Sequence, residues 1–134
     1  MNLIVCLDQR NGMLFGGRRQ SMDRLLRQRM LQVVGDKKLW INSYTARQFE
    51  TLPETVVVDN SFLLNAALDD YCFVENGDLE VAISKAHKVI IYRWDRIYPS
   101  DVTFPVQILN DRNKISEYKF QGFSHKEITE EVYV

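Results

Sequence analysis

Two histidines, two cysteines and three prolines are all that a chain of 134 residues holds of each. His87 and His125 stand far apart and are the only histidines, so there is no metal-ligand cluster. That excludes the zinc motifs and leaves both as surface or packing histidines. Cys6 and Cys72 each sit inside an apolar run, which predicts reduced, buried thiols rather than a disulfide. Charge of one sign is also missing. Seventeen basic against 18 acidic side chains leave a net charge of −1, so global charge gives no reason to expect a nucleic-acid or membrane partner. No apolar run approaches the roughly 18 residues of a membrane span. The opening MNLIVCLDQ has no basic start and meets Asp8 early, unlike a secretory signal. A cytoplasmic chain is expected, with no repeat, low-complexity stretch or linker. Its length predicts a single domain over 1–134.

What is present is 46% hydrophobic residues, enough for a substantial core, arranged in alternating periods. Leu3 to Leu7 reads as a strand buried on both faces. Asn11-Gly12 and Gly16-Gly17 mark a loop. Ser21 is a candidate cap for a helix over 22–34, with Met22, Leu25, Leu26, Met30 and Val33 on one face and Gly35 as its stop. Strands follow at 38–41 and 55–58, separated by a short helix over 45–50. Residues 61–68 are helical in character. The stretch FVENGDLEVAISKAHKVIIYRW, residues 73–94, then has the order strand, turn, helix, strand. Strands are predicted at 71–74 and 87–94, around a helix over 78–84. Two alternating runs, 114–123 and 128–134, predict an antiparallel hairpin joined through Ser124-His125-Lys126-Glu127. The fold class is therefore α/β, layered around a mostly parallel sheet with a C-terminal hairpin at its edge.

Several segments, in order, resemble dihydrofolate reductase. They are LIVCLD with NGM after it, SMDRLLRQRM, WINSYTARQFE, LPETVVV, FVENGDLEVAISKAHKVIIYRWD and SDVTFP. The resemblance spans nearly the whole chain and implies that family's three-layer sandwich. It places Asp23 on the carboxylate that holds the pteridine ring and promotes its protonation, as the catalytic residue. It places Val5, Arg24, Arg27 and Tyr92 around the substrate. It leaves Thr45 and Gly77 as remnants of cofactor binding. Departures from the family are specific. The loop from Gly12 to Asp23 is shorter and lacks a Pro-Trp pair. Glu54-Thr55 stand where an arginine grips the folate glutamate. Asn42-Ser43-Tyr44-Thr45 replaces Gly-Arg-x-Thr at the phosphate. Glu75-Asn76 replaces the Gly-Gly turn, adding side chains and a carboxylate where pyrophosphate approaches the backbone. The segment that holds adenosine is missing after Val58.

Three functions remain open on this reading. The first is a divergent domain that has lost or altered NADPH-dependent reductase activity, with no cofactor expected, and binds a small molecule or protein partner in the remnant cleft. The second is a working NADPH-dependent reductase of dihydrofolate or another pterin. The third is a phosphate or nucleic-acid binder using Arg18, Arg19, Arg24, Arg27 and Arg29. A solvated helix face with ion pairs is the plainer reading of that cluster. Asp23 and Arg27, four apart, are expected to pair on one helix face, which would lower the carboxyl's pKa.

Overall fold

The computed structural model describes residues Met1–Val134. The first strand, β1 (Asn2–Leu7), leads into a hairpin of β2 (Gly12–Phe15) and β3 (Arg18–Arg19). Helix α1 (Arg24–Val34), β4 (Leu39–Ile41), α2 (Ser43–Ala46), β5 (Val56–Val58) and α3 (Phe62–Asn65) follow. The chain continues through β6 (Tyr71–Phe73), α4 (Leu79–Lys85), β7 (Lys88–Arg93) and β8 (Val102–Thr103). A 3₁₀ segment (Val106–Asp111) precedes the closing strands β9 (Lys114–Phe120) and β10 (Ile128–Tyr133).

Seven strands form the main sheet in the order β5-β4-β6-β1-β7-β10-β9. The pairings from β5 to β7 are parallel, and β10 runs antiparallel to both β7 and β9. Apolar side chains alternate between two cores, because successive strand residues point to opposite faces. Leu3, Val5, Leu7, Val89 and Ile91 join Phe62 of α3 and Ala82 of α4 on one face. Ile4, Ile90, Tyr92 and Trp94 join Leu26, Met30 and Val34 of α1 on the other. Covering both faces with helices accounts for the uninterrupted apolar runs in β1 and β7.

The structure shifts several expected boundaries. Asp23, not Ser21, caps α1: its backbone is extended, and its side chain accepts from the Leu25 and Leu26 N–H groups. Met22 is therefore outside the helix and exposed. Gly35 ends α1 at φ 61 and donates its N–H to the Leu31 carbonyl. Asn42 caps α2 two residues earlier than expected, and α3 stops at Asn65 because Ala66 is extended. The expected loop around Gly16-Gly17 is a hairpin. Both glycines have positive φ (59 and 74), which suits a tight turn between twisted strands. β2 also pairs with β8, giving a small three-stranded sheet beside the main one.

Both thiols are free. Cys72 on β6 is buried, and burial pushes its thiol up to about 12. Cys6 on the neighbouring β1 is half-buried. Desolvation, then the Glu75 carboxylate, push its thiol up, while Arg19 opposes the rise. Neither forms much thiolate at neutral pH. A charged thiol reagent at pH 8 is expected to modify both cysteines slowly in the native protein and rapidly in urea. Mass spectrometry of the adducts over time checks this.

Candidate functional site

The Asp23 carboxylate has no exposed surface. Its Oδ1 accepts from the N–H groups of Leu25, Leu26 and Phe123 at 2.9, 3.2 and 2.9 Å. Its Oδ2 accepts from the Ser124 N–H at 2.9 Å, the Ser124 hydroxyl at 3.3 Å and His125 Nδ1 at 2.9 Å. A carboxylate offers about four lone-pair sites, so none is left over. Burial alone would raise this carboxyl. The bonds from Phe123, His125, Ser124 and Leu26 outweigh it and hold Asp23 well below the usual carboxylate range. The β9–β10 connection brings these donors in, and it needs glycine at 122. A Cβ there would lie 2.6 Å from Asp23 Oδ2 and 2.8 Å from Ile128 Cδ1.

The expected Asp23–Arg27 pair does not form. At the cap position the carboxylate turns back onto the helix N–H groups and across to the 122–125 turn, away from the helix flank. Arg27 is half-buried with one guanidinium nitrogen unpartnered, and desolvation lowers its pKa. Together with Arg24, it borders a shallow groove of about 200 Å³ against Phe49 and Glu50. Arg24 itself lies 4.3 Å over the Phe123 ring. Val5 and Tyr92 do not share a pocket floor. Val5 is in register with Ile91, so Val5 and Tyr92 face opposite sides of the sheet and both are fully buried. The arginine cluster divides as well. Arg29 pairs with Glu130 on β10 at 2.8 Å, and Arg19 turns inward.

Arg19 makes a two-pronged ion pair with Glu75, Nε–Oε2 2.9 Å and Nη2–Oε1 3.1 Å. Tyr44 braces it: its hydroxyl accepts the Arg19 N–H at 2.7 Å, its carbonyl accepts Nη2 at 3.1 Å, and the guanidinium lies 4.3 Å over its ring. The pair sits between Cys6, Met13, Ser21 and Trp94 and leaves a crevice of about 10 Å³, room for about one water. Glu75 is thus neutralised by a partner that fills the space between the Glu75-Asn76 turn and the segment leading to Asp23.

The region where a dinucleotide phosphate would be sought is also committed internally. Thr45 is fully buried, and its N–H donates to Asn42 Oδ1 at 2.9 Å. The Ser43 N–H donates to Asn60 Oδ1 at 2.9 Å, and Asn42 Nδ2 donates to Asn76 Oδ1 at 2.7 Å. Gly77, at φ 100, borders a hollow of about 290 Å³ whose only charged neighbour is Asp78. A pyrophosphate needs donors and positive charge. Here the Thr45 hydroxyl is buried and unpartnered, the Asn42, Ser43 and Asn76 contacts are internal, and the one charge is negative, so the hollow supplies no cation for a phosphate. The largest opening lies elsewhere, a cleft of about 550 Å³ bordered by Arg18, Arg19, Ser21, Met22, Tyr44 and Arg47.

Sequence reasoning missed His125, Ser21 as more than a cap, and the Arg19–Glu75 pair. The residues of each constellation lie 56 to 104 positions apart, so no local spacing announces them.

Two outcomes follow from these contacts. Asp23→Ala removes a cap and leaves the donors of His125 and the 122–125 turn unpartnered, and is expected to cost about 1–3 kcal/mol or more in urea unfolding. A carboxyl held low in the folded state contributes stability above its unfolded pKa of about 4 and loses it as pH falls further. Unfolding midpoints from about pH 5 down to about pH 2 should therefore decline, and less steeply in Asp23→Ala. For Arg19→Ala, Glu75→Ala and the double variant, a thermodynamic cycle should give a coupling of about 0.5–3 kcal/mol.

No protein-family model matches this chain, and no curated protein matches it in sequence. Among solved structures it is similar to the dihydrofolate reductase from Enterococcus faecalis complexed with NADP(H) and RAB-propyl. The TM-score is 0.65 at 11% identity, over 98% of this chain and 94% of that one. The fold is a dihydrofolate-reductase-like α/β sandwich with a mostly parallel mixed sheet and a C-terminal antiparallel hairpin.

Proposed function

We propose that this chain is a divergent dihydrofolate-reductase-fold protein of the cytoplasm that has lost NADPH-dependent reduction and uses its remaining cleft for a small anionic molecule. The saturation of Asp23 carries this reading. A carboxylate that serves a pteridine must offer lone pairs to the ring and manage a proton near neutral pH. This one has six donors already and is held strongly ionised. The Arg19–Glu75 pair and the committed Asn42, Ser43 and Asn76 contacts support the same conclusion for the nicotinamide and phosphate ends. No cofactor is expected.

The ligand's charge is inferred from the cleft beside Ser21. Arg18 and Arg47 border it, are exposed and take part in no salt bridge. Guanidinium groups suit carboxylate and phosphate oxygens. The cleft is a local pocket, with Arg24, Arg27 and Arg29 turned to other contacts, which favours a small molecule over a nucleic-acid strand.

Titration with NADPH, read by nicotinamide fluorescence and calorimetry, is expected to give a dissociation constant no tighter than about millimolar, or roughly −4 kcal/mol. Addition of dihydrofolate should cause no loss of nicotinamide absorbance. Micromolar NADPH binding, or NADPH oxidation that disappears in Asp23→Asn, would establish the working reductase instead.

A further inference from the structure

Three residues with no assigned chemistry stand in a line that ends at the open cleft. His125 Nδ1 is 2.9 Å from Asp23 Oδ2, and His125 Nε2 is 3.1 Å from Ser21 Oγ. The aspartate and histidine side chains are 0% and 1% exposed. Ser21 is partly exposed and borders the cleft of about 550 Å³. The ionised Asp23 carboxylate can only accept hydrogen bonds, so Nδ1 carries the imidazole proton. Nε2 is then the accepting side of the ring. The hydroxyls of Ser21 and Tyr98, the latter at 2.9 Å, both reach it. Trp94 stacks on the ring at 4.3 Å and 26°, fixing its plane. The imidazole thus lies between an orienting anion on one side and, on the other, the hydroxyls of Tyr98 and of the partly exposed Ser21. That order of anion, oriented imidazole and accessible hydroxyl is the arrangement that activates a serine.

We propose that Ser21, His125 and Asp23 form a nucleophilic serine site that hydrolyses small esters carrying a carboxylate or phosphate. This inference rests on the reading that Asp23 no longer serves a pterin. Nε2 takes the Ser21 proton as Oγ attacks the ester carbonyl carbon, and the C=O electron pair moves to oxygen. Collapse of the adduct breaks the bond to the alkoxy oxygen. The leaving alcohol takes the proton from Nε2, and an acyl-Ser21 remains. Water repeats the sequence, releasing the acid and restoring Ser21. Arg18 and Arg47 hold the substrate's anionic group. Asp23 is a positioning residue. His125 is the base.

A tagged fluorophosphonate tests the nucleophile directly, since Oγ displaces fluoride at phosphorus and leaves a stable adduct. The full chain is expected to be labelled at Ser21, located by peptide mass spectrometry. Ser21→Ala loses only a hydroxyl, so its urea midpoint should match the parent and its labelling should vanish. His125→Gln should slow labelling about 100-fold or more. The para-nitrophenyl monoester of succinate should be cleaved faster than para-nitrophenyl acetate, and Arg18→Ala/Arg47→Ala should remove that preference. Folded parent protein left unlabelled at Ser21, or labelled equally in Ser21→Ala, overturns the proposal. So does cleavage of the succinate ester unchanged in Ser21→Ala. NADPH oxidation is read separately: an unlabelled chain that does not oxidise NADPH overturns the serine site alone, and one that does oxidise it overturns the loss of reductase activity as well.

Discussion

The buried charge of Asp23 is the constraint on which the rest of this structure turns. An ionised carboxylate away from water is tolerable only where donors replace its hydration. Three kinds of donor meet it here: the first turn of α1, the backbone of the 122–125 turn, and an imidazole. The helix start, the hairpin connection and His125 are thereby fixed to one another. With them comes the direction of α1, whose Leu26, Met30 and Val34 cover one face of the sheet. Ser21, two residues before the cap, takes its place beside the imidazole as a result.

The Arg19–Glu75 ion pair acts at a different place in the fold. Arg19 and Glu75 belong to the small hairpin and to the turn after β6, and together they occupy the crevice between them. The sheet does not depend on that crevice, because its stability comes from apolar burial on both faces. A fold can therefore keep its strand order while a pair of charged side chains closes a cleft from within. The free guanidinium groups of Arg18 and Arg47 lie outside the closed part, and so does the partly exposed Ser21 at the cleft edge of the His125 network.

Much of the fold was legible because its strands are two-sided and apolar. Leu3 to Leu7 and Val89 to Tyr92 cannot satisfy their pattern anywhere except between layers. Gly16-Gly17 marks a loop and a tight turn equally well in sequence, and only the positive φ of both glycines makes it the hairpin at 12–19. Ser21 and Asp23 are both good caps, and local sequence gives no reason to choose. The choice is made by Phe123, Ser124 and His125, a hundred residues away. The Asp23–Arg27 pairing assumed a helical position for a residue that caps the helix. Placing Val5 and Tyr92 together ignored strand parity, since the partner of Val5 is Ile91. The cap choice depends on a contact between distant segments, which periodicity does not encode, whereas the hairpin is a local turn whose glycines serve loop and turn alike.

The join between Asp23 and the 122–125 turn has a temporal side. Phe123 lies 100 residues after Asp23, so on a growing chain the carboxylate emerges long before its partners. Until then α1 has only its own first-turn amides to cap it. The cost of closing so large a loop falls on the last hairpin to be made. That hairpin also supplies β10, which covers the flank of β7. Folding is therefore expected to finish at the C-terminal end, with assembly of the sheet and capture of the buried anion occurring as one late event.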